Sequence, residues 1–103
     1  MGTNLNLQSE LKVHGGKLVK VSLEVSPQGT IAGVRITGDF FIHPEDALEI
    51  IEESLKGAQL DEKEIVLKAT KAVEKTEAVM VGFSPCDIAQ AILMAAKTET
   101  KNT

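Results

Sequence analysis

Three kinds of reactive side chain invite a chemical reading of this sequence, and none has the company that chemistry requires. Cys86, in "GFSPCDIAQAI", is the only thiol. It stands in the first turn of a predicted helix, a setting that in general favours thiolates. No histidine is near it in sequence to serve as a base, so an ordinary first-turn cysteine is the preferred reading. His14 and His43 are far apart, and neither has a partner at metal-ligand spacing. Gly15-Gly16-Lys17, in "VHGGKLVKV", follows a possible strand, but P-loop spacing is absent and no helix follows. A Walker-type phosphate cradle is therefore excluded.

The elements that must position these residues come in two halves. In the first, Val19, Val21, Leu23 and Val25 alternate with Lys20, Ser22 and Glu24, the period of a half-buried strand. Ala32, Val34 and Ile36 repeat the pattern after the turn signal Ser-Pro-Gln-Gly. Pairing Val25 with Thr30 sets Leu23 against Ala32, Val21 against Val34 and Val19 against Ile36. Lys20 then stands opposite Arg35 on the outer face. Like charges so placed are unfavourable by roughly 0.2–1 kcal/mol. Either Glu24 and water relieve them or an anionic group of a partner does.

An earlier strand carries Leu5, Leu7, Leu11 and Val13 on one face. A two-residue Gly15-Gly16 turn would pair Lys12 with Val19 and put a charge on the apolar face. The parity is wrong for a plain hairpin, so the glycines make a bulge, a longer connection or a site of close backbone approach.

The second half reads as helices. "HPEDALEIIEESLKG" has Pro44 in its first turn, Glu45 and Asp46 near the positive end of the dipole, and Gly57 as a stop. Ala47, Leu48, Ile51 and Leu55 form its apolar stripe. "DEKEIVLKATKAVEK" opens on the capping-box-like pair Asp61 and Glu64, with Ile65, Ala69, Ala72 and Val73 as its stripe. "SPCDIAQAILMAAK" opens on Ser84 as cap, Pro85 at the first helical position and Asp87 three after the cap. Ala78 to Gly82 reads equally as a short strand or an apolar linker. The expected fold is α+β and two-layered: an antiparallel meander of two to three strands followed by three helices.

With 103 residues and 43% hydrophobic content, the chain fits one domain with one core. A net charge of -4 gives no electrostatic reason to expect nucleic acid. Nine acids against two lysines between residues 39 and 64 suggest a solvated acidic helix or a polar partner surface. One cysteine excludes an internal disulfide and fits a reducing compartment. No apolar run approaches the ~20 residues of a membrane helix. The start, "MGTNLNLQSELK", lacks the pattern of a signal peptide. A cytoplasmic protein is expected.

One family resemblance reaches across most of the chain. "GGKLVKVSLEVSPQGTIAGVRITGDFFIHPEDALEIIEESLKG" resembles the C-terminal accessory domain of lipoate–protein ligases. The matching features are the Gly15-Gly16 pair before the hairpin, Gly38-Asp39-Phe40-Phe41 leading to Pro44, and Gly57. "GFSPCDIAQAI" is similar to the family's final helix. The resemblance implies that residues 1–103 form a single accessory domain; its ends, about 1–8 and 98–103, are expected to be flexible, the tail "TETKNT" having nothing to bury. It implies no catalytic, cofactor or metal residue in this chain. Lipoate, ATP and Mg are expected in a large catalytic subunit, with which this chain forms a heterodimer, as in organisms, notably archaea, where the small domain is a separate polypeptide. The chain is expected to be needed for lipoate activation to lipoyl-AMP, to meet lipoyl-acceptor domains only indirectly, and to contact neither nucleic acid nor membrane. The expected partner surface comprises Gly15, Gly16, Lys17, Lys20, Arg35, Asp39, Phe40 and Phe41. The accessory fold is also similar to iron–sulfur scaffold and sulfur-acceptor proteins, which makes sulfur chemistry at Cys86 the alternative. A scaffold uses three cysteines and an acceptor one on an exposed loop, so both fit poorly.

Overall fold

The alternation in the first half becomes three antiparallel strands, β1 (Leu5–Lys12), β2 (Leu18–Val25) and β3 (Ile31–Gly38), in the order β1-β2-β3. The computed structural model describes residues 3–13, 15 and 17–98. In β2 every second residue, Val19, Val21, Leu23 and Val25, is buried, while Lys20 and Ser22 face water. Period-two burial of this kind fixes which face meets the core.

The first hairpin resolves the parity problem. β1 and β2 pair from Leu5 opposite Val25 to Lys12 opposite Leu18. Val13 N–H then donates to the Lys17 carbonyl at 2.7 Å, beyond the last paired residues Lys12 and Leu18. This is the longer connection, and it returns Leu11 to Val19 and Leu7 to Leu23. Gly15 has φ +98°, where a Cβ is strained. An added side chain there would meet nothing within 4 Å. Backbone conformation, not close approach within this chain, is what Gly15 answers. His14 and Gly16 lie outside the described residues. Residues 5–8, expected in a loose N-terminal end, are paired with β2; residues 99–103 also lie outside the described residues.

The β2–β3 register departs from the expected one. Val21 faces Ile36 and Leu23 faces Val34, so Ser22 stands opposite Arg35 and Lys20 opposite Thr37. The turn is the cause. Ser26 N–H donates to the Thr30 carbonyl at 2.9 Å across Pro27, Gln28 and Gly29, and the two hydroxyls share a 2.7 Å hydrogen bond. Val25 therefore pairs with Ile31, the register shifts between Glu24 and Val25, and Ala32 becomes the extra residue of a bulge. Ile31 turns inward and is 1% exposed. Burying it in place of Ala32 gains about 0.8 kcal/mol for each additional CH₂.

After β3 the chain makes a second, smaller sheet that the sequence reading did not include. β4 (Phe41–His43) pairs antiparallel with β5 (Val79–Val81), which also decides the open reading of Ala78 to Gly82 in favour of a strand. Because the chain stays extended to His43, Pro44 does not stand in the first helical turn. The His43–Pro44 peptide is cis, and α1 (Ala47–Ser54) begins after Asp46.

α1 ends at Ser54, and the chain after it runs beside β3: Gly57 N–H donates to the Ile31 carbonyl at 2.7 Å and Ile31 N–H to the Ala58 carbonyl at 2.8 Å. Glu52 of α1 reaches the same strand, its carboxylate accepting from Ile36 N–H at 2.8 Å. The acidic stretch thus helps to satisfy an otherwise open sheet edge. α2 (Glu62–Thr76) is capped by Asp61, which accepts from Glu64 N–H; the Glu64 carboxylate bonds Gln59 N–H. α3 (Pro85–Lys97) carries the full reciprocal capping box of Ser84 and Asp87.

α3 packs on β1 and β2, α1 on β3, and α2 against both helices. The helical residues Ile51, Ile65, Ala69, Ile88 and Ile92 meet the inner face of the sheet or one another in one aliphatic core, to which Phe83 and Ile42 add. The architecture is α+β, a meander sheet backed by three helices.

Candidate functional site

Each expected partner residue can now be placed. Asp39 is occupied within the chain: its Oδ1 accepts from Leu18 N–H at 2.6 Å, and its own N–H donates to the Leu18 carbonyl at 3.2 Å. Phe40 is half-buried and stacks on Phe83, with ring centroids 3.8 Å apart and planes inclined by 20°. Both residues fasten the exit of β3 to the core. Gly38 completes that junction. It has φ +156°, and a Cβ there would run into the Leu18 carbonyl oxygen and approach the Phe40 ring at 2.9 Å.

Lys20 and Arg35 do not crowd one another. Lys20 lies across from Glu10 of β1 at 4.0 Å, a long and solvent-exposed ion pair worth at most about 1 kcal/mol. Arg35 sits by the acidic helix, lining a shallow groove with Glu49, Glu52 and Glu53. Both members of the expected positive strip on the outer sheet face thus have acids of the chain nearby. The rest of that face, with Gln8, Ser22 and Thr37, is polar and exposed.

Phe41 is different. It is 72% exposed. Its cross-strand partner is Val81, and His43 faces Val79. Cross-strand partners share a face, so Phe41, Val81, Val79 and His43 line one side of the ribbon, while Ile42 and Met80 pack underneath. Val79 is 60% and Val81 53% exposed. Three large apolar side chains thus stand together in water. Lys17 is close by: a side chain at Gly82 would meet the Lys17 Cγ at 3.0 Å, so the lysine stem lies against the residue after Val81. Gly15 belongs to the turn that Lys17 closes. Of the expected set, the structure brings Lys17 and Phe41 to the same end of the ribbon, while Lys20 and Arg35 lie on the outer face of the three-stranded sheet. Val79 and Val81 were not in the expected set. Their signal was the alternation within "AVMVGF", which has no meaning until β4 is recognised.

Cys86 is exposed and free. Among the described residues no three His, Cys, Asp or Glu side chains are grouped to hold a metal ion. Among them, no helix is long and apolar enough to cross a membrane.

Residues 3–92 match the family described as the C-terminus of bacterial lipoate protein ligase. The chain belongs to that family. The lipoate ligase C-terminal fold is also found in a solved chain from Thermoplasma acidophilum, from an archaeal lipoylation system comprising a bi-partite lipoate protein ligase and its E2 lipoyl domain. The two align with a TM-score of 0.73 and 24% identity, over 87% of this chain and 97% of the other. No curated protein matches the sequence.

Proposed function

We propose that this chain is the accessory subunit of a two-chain lipoate–protein ligase, required with a large catalytic subunit for lipoate activation to lipoyl-AMP. The observation that carries the reading is the family match over residues 3–92. The likeness to a chain from a bi-partite ligase, covering 97% of that chain, supports a separate small subunit. In this reading the carboxylate of lipoate attacks the α-phosphorus of ATP, pyrophosphate leaves, and the reaction takes place in the large subunit of a cytoplasmic heterodimer. Lipoate, ATP and Mg are held there in this reading. The small chain acts by docking: a domain closing over a partner's active site excludes water and orders substrate loops. Lipoyl-acceptor domains are met through the large subunit.

The test is lipoyl-AMP formation by the large subunit with and without this chain. The mixture is expected to be active and this chain alone inactive. Lipoyl-AMP formation by this chain alone, or full activity of the large subunit without it, contradicts the proposal. Cys86→Ser is expected to leave the mixture within about tenfold of the parent, or ~1.4 kcal/mol of transition-state stabilisation. A larger loss would favour the sulfur-chemistry alternative.

A further inference from the structure

We infer that the exposed face of the β4–β5 ribbon, with Lys17 at its rim, is the surface that docks on the large catalytic subunit; the inference rests on the accessory-subunit reading above. Phe41, Val79 and Val81 are more than half exposed and share one face. Together they leave apolar surface on the order of a few hundred Å² in water, the scale of the largest patch a monomer carries and often a functional one. A two-stranded ribbon is marginal by itself, so a partner covering one face also reinforces the element that presents it.

Size and charge select the occupant. A stable interface buries roughly 800 Å² on each partner, with an apolar centre and a polar rim. Two copies of this patch pressed together would cover only about twice a few hundred Å², short of the ~1,000 Å² that a stable assembly needs. A larger partner that continues past the patch onto its rim meets the requirement. The rim is polarised. Lys17, at the Phe41–Val81 end, enters no ion pair among the described residues. At the His43–Val79 end the chain runs on into the exposed Glu45 and Asp46. The fitting partner surface is apolar at its centre, acidic opposite Lys17 and basic opposite Glu45. This orients docking as well as permitting it.

The test is calorimetric titration of the large subunit with the parent and with folded variants, each checked first by circular dichroism and melting. Phe41→Asp is expected to weaken binding by at least ~100-fold, as for a central apolar anchor, and Phe41→Ala by about tenfold. Lys17→Glu should weaken it less and mainly at low salt. Leu67→Asp, at a 54% exposed position on α2, should bind like the parent. Should Phe41→Asp not fold, Phe41→Ala and Val81→Thr decide. Parent-like binding by a folded Phe41 variant overturns the inference while leaving the accessory role standing. So does a loss in Leu67→Asp equal to that in Phe41→Asp. Self-association of the parent that Phe41→Asp abolishes assigns the patch to a second copy and overturns it too. A parent that fails to bind the large subunit at all contradicts the accessory reading, and this inference with it.

Discussion

Two β surfaces of this molecule face water, and they are built in opposite ways. The outer face of the three-stranded sheet is polar, with Gln8, Ser22 and Thr37 exposed and Lys20 set against Glu10. The outer face of the β4–β5 ribbon is apolar, with Phe41, Val79 and Val81 exposed. Both elements bury their other side in the same core. The difference shows that solvent exposure alone does not set the composition of a β surface. The sheet needs nothing further on its outer side, because alternation has already sorted it. The ribbon carries apolar groups on both sides, the pattern of a strand pair meant to be covered twice.

The largest effect should come from the inner side of the sheet. Leu23 is 1% exposed, so Leu23→Ala is expected to cost about 2–5 kcal/mol in a urea titration. Phe41→Ala on the ribbon should cost no more than about 0.5 kcal/mol, since its ring lies mostly in water. Equal losses would erase the contrast and make Phe41 a core residue.

Next in size is the junction between the two sheets. Gly38→Ala places a methyl group against the Leu18 carbonyl and the Phe40 ring. It should destabilise the fold by roughly 1–3 kcal/mol, and it should lower protection of the β4 amides in hydrogen exchange before those of β2. If β2 and β4 lose protection together, the ribbon is no separate unit.

On the outer sheet face the expected effects are small. Lys20→Ala should change stability by no more than about 0.5 kcal/mol and leave binding to the large subunit unaltered. A tenfold loss of binding would move the partner surface onto the sheet.

The smallest effect concerns Lys56, whose ammonium lies 2.8 Å from the Glu53 carboxylate. That hydrogen bond, and then the charge of Glu53, raise the lysine above its usual value of 10.5. A raised value in the folded state means a contribution present below 10.5 and lost as pH climbs through the raised value. The difference in melting temperature between the parent and Lys56→Gln should therefore be small at pH 9 and shrink at higher pH. A difference that grows with pH would contradict the pairing.

How legible these surfaces were in the sequence depends on how local their causes are. The alternation of β2 and the Ser84-Pro85-Asp87 helix start are set by neighbouring residues, and both appear as expected. The β2–β3 register depends on a three-residue loop with a bulge at Ala32, and no pattern of alternation reports an inserted residue. β4 is three residues long, and its partner lies far along the chain. With Pro44 just after it, the segment resembles the approach to a helix. Asp39 and Phe40 were expected on the partner surface; Asp39 stays exposed while accepting from Leu18 N–H, and Phe40 is half-buried against Phe83. Phe41 was expected there and is exposed. Nothing in "GDFFIHP" distinguishes the two phenylalanines until one stacks on Phe83 and the other stands exposed in the ribbon.

The most direct test of the contrast is an NMR titration of the isotope-labelled chain with the unlabelled large subunit. The account predicts that the Val79 and Val81 methyl signals and the Phe41 and Lys17 amides shift or broaden, while Gln8, Lys20, Ser22 and Thr37 keep their positions. Changes centred on Lys20, Ser22 and Arg35, with the ribbon signals unmoved, would contradict it.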